Sequence, residues 1–233
     1  MNQLNKLIVP IAIIIAGGLI AFAIYITSTQ PAKAPAGIGS VDTFKAEVAP
    51  VTAADHIRGN KNAKIVIIDY SDLECPFCKS FHASLSKIVT TYGKDVAWVY
   101  RHFPLDIHPK ARKEAEASEC AAELGGEEVF WKYIDHIYSV TPSNNRLEDA
   151  ELLNTAKIVG LDQAKFKTCL DSGKFATKIE EQYQEGLKAG ARGTPYTVVL
   201  AKGQTFPIVD AQGQGLGAIP YEALKSLVEQ FLK

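Results

Sequence analysis

Hydrophobic and polar positions over residues 65–103 predict a strand, a helix and a second strand. Ile65–Tyr70 is a nearly continuous apolar run, as expected of a buried strand. Apolar side chains then recur at three- and four-residue steps until Gly93, where a helix is expected to end. A second apolar run, Val96–Phe103, stops at Pro104. Because this order forms a βαβ unit, the two strands should be parallel.

The pattern becomes wholly helical over residues 109–190 and then returns to strands. Five amphipathic stretches predict five helices whose apolar stripes form core, and Asp162 is expected to cap the fourth. Tyr196–Leu200 and Phe206–Asp210 flank a turn and predict a hairpin. A last helix is expected over residues 219–232.

The N-terminal region predicts a membrane anchor followed by a tether. Residues 7–26 carry no charge and are long enough to cross a bilayer as a helix, with positive charge before them. We expect an uncleaved signal anchor, with residues 1–6 in the cytoplasm and the remainder outside it. A cleaved signal peptide remains an alternative, because Ala-rich sites follow at residues 32–36. Residues 27–54 are rich in small and turn-forming residues and predict a flexible tether; a short strand at 44–48 is the alternative.

Composition limits the classes of partner. The 25 Lys and Arg residues nearly balance the 26 Asp and Glu residues, and the basic residues form no long block. We therefore expect no nucleic-acid binding. The overall composition is that of an ordinary globular protein.

Candidate chemistry lies in Cys75-Pro76-Phe77-Cys78, which opens the first predicted helix. At that position unpaired N–H groups and the helix dipole stabilise a thiolate at Cys75, and Cys78 lies one turn away, within disulfide reach. A zinc site would need two further ligands at close spacing, and an inert disulfide is the other alternative. The remaining cysteines are solitary, so a redox pair without metal or cofactor is favoured.

Five stretches of the chain carry a family resemblance, and they are Asp72–Lys79, Arg101–Leu105, Gly193–Pro195, Ala115–Cys120 and Cys169–Gly173. Through them, residues 50–233 resemble the DsbA-like thiol-disulfide oxidoreductases of the thioredoxin superfamily, in particular membrane-anchored bacterial members with a Cys-Pro-Phe-Cys centre. The resemblance implies an α/β thioredoxin fold, with a central mixed sheet flanked by helices and an inserted all-helical domain. The expected division is a first thioredoxin part at 55–106, the helical insertion at 107–190 and a second thioredoxin part at 191–233.

The resemblance also implies the roles of the site residues. Cys75 corresponds to the exposed nucleophile and Cys78 to the resolving thiol. Thr194-Pro195 matches a cis-proline turn that presents backbone to a bound polypeptide, although Gly-Thr-Pro alone could be a routine turn. Pro76-Phe77 is expected to contact substrate as well. Asp69 falls where thioredoxins carry a buried acid that could relay a proton to Cys78; a solvated Asp at the strand end is the alternative.

Other polar residues are predicted to have no chemical role. Glu74 is expected to be a solvated loop charge. Three histidines are expected to be surface or packing residues, namely His82, His102 and His108. Cys120 and Cys169 lie on apolar helix faces of an exported protein with an even number of cysteines, so a structural disulfide is expected. Two buried free thiols are the alternative.

These features together predict an extracytoplasmic, monomeric enzyme that introduces disulfides into unfolded exported proteins. It would be held at the bacterial inner membrane and re-oxidised by a DsbB-like, quinone-linked membrane partner. Phe77 lacks the imidazole of a Cys-Pro-His-Cys centre, so a weaker oxidant than DsbA is expected. Thr194, where DsbA oxidases have an aliphatic residue, instead favours a reductase or isomerase. The second departure from the family is a Gly-rich link at 209–215. Besides an oxidase and a reductase or isomerase, a non-catalytic membrane-anchored chaperone is the third candidate function.

Overall fold

The computed structural model describes residues 45–233 and contains five strands and seven helices in that range. The strands are β1 His56–Gly59, β2 Ile65–Ser71, β3 Val96–His102, β4 Tyr196–Ala201 and β5 Gln204–Pro207. The helices are α1 Pro76–Tyr92, α2 Ala111–Gly125, α3 Glu127–Val140, α4 Asp149–Ile158, α5 Gln163–Asp171, α6 Ala176–Ala189 and α7 Tyr221–Leu232.

The strands form one mixed sheet in the order β1-β3-β2-β4-β5. Strands β2 and β3 are parallel, which confirms the prediction from the βαβ pattern, and the other neighbours are antiparallel. The central strands are apolar on both faces, because successive side chains point to opposite sides and helices cover each side. Ile67 and Trp98 belong to one core and Ile68 and Val99 to the other.

The helices cover the sheet unequally. Helices α1 and α7 contact each other, and α7 also contacts β2. Helix α6 packs on the other core, where the rings of Phe103 and Tyr183 stack at 4.6 Å between centroids. Gly186 permits this approach, since a Cβ there would lie 2.6 Å from Phe103 Cδ2. Of the five helices predicted between residues 109 and 190, the last is therefore part of the layer on the sheet.

The remaining helices, α2–α5, form a bundle that we call the helical insertion. Helix α2 contacts α3, α4 and α5. Asp162 caps α5, accepting a hydrogen bond from Lys165 N at 2.9 Å, as the sequence predicted. Cys120 in α2 and Cys169 in α5 are joined by a disulfide.

The N-terminal part of the described chain differs from the sequence prediction. Strand β1 pairs with β3 and was not predicted. The tether was expected to reach residue 54, and that prediction was wrong for residues 45–54. Ala46 O accepts a hydrogen bond from Thr205 Oγ1, and Ala49 N donates one to Glu185 Oε1. Residues 45–48 are not in a strand either.

The predicted anchor at 7–26 lies outside the described residues. Within residues 45–233, no helix is both long and apolar enough to cross a membrane.

Candidate active site

The redox pair lies at the junction between β2 and α1. After Ser71 the chain turns through residues 72–75, which we call the active-site turn, and Cys75 N donates to Asp72 O at 3.1 Å. Cys75 is the N-cap of α1 and has extended backbone, while Pro76 occupies the first helical turn. Proline suits this position because its missing N–H would have no partner within the helix. The helix start is thus built directly onto the end of a buried strand.

The structure brings Cys75 together with the cis-proline turn. The peptide bond between Thr194 and Pro195 is cis, and Cys75 Sγ donates to Thr194 O at 3.4 Å. The pKa of Cys75 is lowered to about 6, mainly by a hydrogen bond from Cys78 and by backbone N–H groups of α1, against an opposing effect of burial. A thiolate at Cys75 is therefore well populated near neutral pH.

Cys75 is less accessible than the family role implied. The residue is only 3% exposed, whereas Phe77 is 64% exposed. The expectation of an exposed nucleophile is corrected in this respect: the exposed residues of the motif are Pro76 and Phe77.

The pKa of Cys78 is shifted in the opposite direction from that of Cys75. Its pKa is raised well above the usual value, first by burial and then by the neighbouring Cys75. The Cys78 Sγ atom accepts a hydrogen bond from Asp72 N at 3.5 Å. Both cysteines are free thiols in the structure. The pair therefore holds one thiol that ionises easily and one that keeps its proton.

Asp69 is buried in the centre of the sheet, which excludes the solvated alternative. It lies opposite Tyr100 on β3 and Thr197 on β4 and is 1% exposed. Burial raises the pKa of Asp69 to about 7, and its charge in turn helps to raise the pKa of Cys78. A group with this pKa can exchange a proton near neutral pH, so its proposed relay to Cys78 remains a prediction with suitable chemistry.

Glu74 is buried rather than solvated, so the sequence prediction for it was wrong. Its carboxylate accepts a hydrogen bond from Asn145 N, and its carbonyl accepts one from Asn144 N at 2.8 Å. Glu114 on α2 is its neighbour, and the pKa of Glu114 is raised far above its usual range by burial and by the hydrogen bond to Glu74. Nothing in the local sequence distinguishes Glu114 from Glu123, the exposed acid of the same helix.

The three histidines without a predicted role are all buried, so the surface alternative was wrong for each. His108 Nδ1 lies 2.8 Å from Asp72 Oδ2, beside the active-site turn. His82 Nε2 contacts Asp135 at 2.6 Å, and His102 Nε2 lies 3.2 Å from Glu119. The link between His108 and Asp72 joins two segments far apart in sequence, and periodicity alone carries no signal for it.

A groove runs beside the cis-proline turn and is walled by the Gly-rich link at 209–215. Its volume is about 550 Å³, and its lining includes Thr194, Pro195, Arg192 and Gln214. The link is ordered, because Val209 and Gly215 form a bridge and Asp210 Oδ1 accepts two backbone hydrogen bonds from Gln212 N and Gln214 N.

Comparison with known proteins agrees with this geometry. The family model described as "Thioredoxin" matches residues 51–229. Pseudomonas aeruginosa DsbA2 superposes with a TM-score of 0.63 and 28% identity, over 78% of this chain and 96% of that one. Bacillus subtilis BdbD shares the fold, with a TM-score of 0.66 and 22% identity over 81% of this chain and 99% of that one.

Curated relatives are longer proteins. Na(+)/H(+) antiporters named NhaA from Salinispora tropica and Herminiimonas arsenicoxydans are each 33% identical to 60% of this chain. The matched part spans about a fifth (21%) of the length of those antiporters. The family model, the superposed fold and the Cys75–Cys78 site together show that this chain belongs to the thioredoxin family, as a DsbA-like disulfide oxidoreductase.

Proposed function

We propose that this protein introduces disulfides into unfolded exported proteins outside the cytoplasm. The observation that carries the proposal is the asymmetry of the redox pair: the pKa of Cys75 is lowered to about 6 while that of Cys78 is raised. Stabilising the Cys75 thiolate favours the reduced enzyme, so the Cys75–Cys78 disulfide becomes a better oxidant.

The proposed reaction transfers two electrons from substrate to enzyme. A substrate thiolate attacks Cys75 Sγ, the Cys75–Cys78 bond breaks, and Cys78 leaves as a thiolate that takes up a proton. A second substrate thiolate then attacks the substrate sulfur of the mixed disulfide, and Cys75 leaves as a thiolate. The substrate has gained one disulfide and the enzyme has become a dithiol. Turnover therefore needs re-oxidation, for which we propose a DsbB-like, quinone-linked membrane partner.

Two features support a polypeptide substrate and an oxidising compartment. Five of the ten residues that line the groove beside Thr194-Pro195 are glycines, whose lack of a side chain leaves room for the main chain of an extended polypeptide. The Cys120–Cys169 disulfide is of a kind that persists outside the cytoplasm. We propose that residues 7–26 anchor the protein in the bacterial inner membrane with the catalytic domain outside, and that it acts as a monomer. Ion antiport forms no part of the proposal, because the match covers only 21% of the antiporters.

The reduction potential tests the direction of electron flow. We expect the full-length protein, equilibrated in glutathione redox buffers, to have a potential between those of thioredoxin (about −270 mV) and DsbA (about −120 mV). A value at or below that of thioredoxin would show that the disulfide is too stable to oxidise exported substrates.

A reductase or isomerase is the second candidate, and Thr194 favours it. Its carbonyl accepts the Cys75 thiol, so the residue before the proline directly contacts the nucleophile. Replacing Thr194 with Val keeps the side-chain shape and removes the hydroxyl. A shift of the potential toward that of DsbA in this variant, from a thioredoxin-like starting value, would support the reductase.

A variant without the dithiol distinguishes a non-catalytic chaperone from the oxidase and from the reductase or isomerase. We expect a Cys75→Ser, Cys78→Ser double variant to lose all rescue of disulfide-dependent secretion in a strain lacking this protein. Full rescue by the double variant would replace the enzymatic proposal with the chaperone.

A further inference from the structure

Asp72 lies between the redox pair and the loop that follows β3, and it contacts both. The residue is only 1% exposed. Oδ1 accepts from Glu74 N at 2.8 Å, while Oδ2 accepts from Leu105 N at 2.9 Å and faces His108 Nδ1 at 2.8 Å. Three donors around one buried carboxylate hold the active-site turn against the chain near residue 105.

The backbone of the same residue contacts both cysteines. Asp72 O accepts from Cys75 N at 3.1 Å, and Asp72 N donates to Cys78 Sγ at 3.5 Å. Tyr138 OH also donates to Asp72 O, at 3.3 Å. The orientation of the Asp72 peptide, and with it the N–H aimed at Cys78 Sγ, is therefore fixed by contacts on both its side chain and its carbonyl.

A fixed N–H at Cys78 Sγ matters only while that sulfur carries charge. Cys78 carries charge transiently, when it leaves as a thiolate on formation of the mixed disulfide and when it attacks Cys75 Sγ on its collapse. Hydrogen bonds to a charged group are stronger than hydrogen bonds to a neutral one. The donor consequently acts on formation and collapse of the mixed disulfide, and it contributes little to the resting dithiol.

We propose that Asp72 is a positioning residue for the resolving thiol: its carboxylate, held by His108 and two backbone N–H groups, orients the Asp72 N–H that stabilises the Cys78 thiolate. The inference rests on the proposed dithiol exchange. It adds a residue that acts through its backbone on Cys78, which is distinct from the proton exchange predicted for Asp69.

The test separates the two thiols by kinetics. The reduced full-length protein is mixed with 5,5′-dithiobis(2-nitrobenzoic acid). The Cys75 thiolate attacks first, forming a mixed disulfide and releasing one thionitrobenzoate. The Cys78 thiolate then attacks Cys75 Sγ, closing the Cys75–Cys78 disulfide and releasing a second thionitrobenzoate. The two cysteines are oxidised, the reagent is reduced, and two protons leave the thiols. Stopped-flow absorbance resolves the two releases.

Asp72→Asn keeps the size of the side chain but replaces one acceptor oxygen with an NH₂ group. In either orientation of the amide, this NH₂ faces at least one N–H that the carboxylate accepts, at Glu74 on one side or at Leu105 and His108 on the other. We expect the second release to slow about tenfold while the first stays within about twofold, because only Cys78 loses an oriented donor. The matched control is Asp106→Asn, in the loop after β3 that Asp72 contacts, where the carboxylate is 83% exposed; both releases should be unchanged.

Several outcomes would overturn the inference. An unchanged second release in Asp72→Asn, or equal slowing of both releases, would show that Asp72 does not act selectively on Cys78. If Asp72→Asn does not fold, His108→Ala replaces it, since it removes one of the three donors to the carboxylate and should slow the second release by about threefold. If the wild-type protein releases no thionitrobenzoate, the proposed dithiol exchange itself fails, which is a different result.

Discussion

Glu74 and Glu114 are neighbouring buried carboxyl groups beside the redox centre, and burial, followed by the hydrogen bond to Glu74, raises the pKa of Glu114 to about 10. Neither Glu74 Oε1 nor Glu114 Oε2 has any other hydrogen-bond partner among the described residues. One proton between the two groups accounts for both atoms. Glu74 also accepts the backbone N–H of Asn145, so the pair links the active-site turn to the segment after α3.

The first prediction concerns the pH dependence of this pair. The pKa of Glu114 is raised in the folded protein, so the folded state binds the proton more tightly than the unfolded state does. This group therefore lowers stability progressively as pH rises above its unfolded pKa, near 4.5. Glu114→Gln is neutral at every pH and should be more stable than wild type at pH 8 by at least about 1 kcal/mol.

Urea unfolding at pH 5 and pH 8 measures this effect. Glu123→Gln, an exposed site on the same helix, is the control and should show the pH dependence of wild type. A Glu114→Gln variant that loses stability at pH 8 would contradict the shared proton.

The second prediction concerns the order of reactivity of the two thiols. Because the pKa of Cys75 is lowered to about 6 and that of Cys78 is raised, iodoacetamide should modify Cys75 alone in the reduced protein at pH 7. The rate should rise with pH through a midpoint near 6. Cys75→Ser should abolish turnover, and Cys78→Ser should accumulate mixed disulfides. Peptide mapping that finds Cys78 modified faster would reverse the two roles.

The third prediction concerns the cost of burying Asp69. Burial raises its pKa to about 7, so the folded state loses stability as pH rises from the unfolded value of 3.8 toward 7. Asp69→Asn should therefore be more stable than wild type at pH 8, by about 2 kcal/mol. The same variant should slow the second thionitrobenzoate release by tenfold or more, on the order expected for loss of a general base.

Thermal unfolding measures the stability of Asp69→Asn, and the thionitrobenzoate assay on the same preparation measures the rates of the two releases. A gain in stability without any loss of rate would show that Asp69 is buried but does not exchange protons with Cys78.

The fourth prediction concerns the structural disulfide. Cys120 and Cys169 enclose a loop with a sequence separation of 49 residues. Replacing both with Ala should lower the free energy of unfolding by up to about 4 kcal/mol on the chain-entropy model. The rates of both thionitrobenzoate releases should not change, since the bond lies in the helical insertion. A shifted reduction potential in this variant would instead couple the insertion to the redox pair.

The fifth prediction concerns the membrane. The full-length chain should fractionate with bacterial membranes, and residues beyond about 27 should be accessible to protease added from outside. Deleting residues 7–26 is the control and should abolish membrane association. A soluble mature protein that begins near Ala36 or Gly37 would identify the segment as a cleaved signal.

Local sequence patterns were sufficient for most elements of the fold. Nearly continuous apolar runs identify β2 and β3, and period-3.6 patterns identify α1–α7, because the buried faces of these elements are defined by their own residues. The short strand β1 was not predicted, since four residues with a single apolar side chain, Ile57, carry too little periodicity. Its pairing with β3 determines its structure. The ordered contacts of residues 45–54 were not predicted for a related reason: their polar partners, Arg101 and Glu185, are distant in the sequence.

The redox pair could also be identified from the sequence, because two cysteines three positions apart need only a helix start to become reactive. The polar groups around them depend on the tertiary structure. Glu74 meets Glu114 forty residues later, and Asp72 meets His108 across β3, so neither contact leaves a local pattern. Burial then determines their chemistry: desolvation disfavours the charged form of a carboxyl group, and only the folded protein determines which carboxyls lose water.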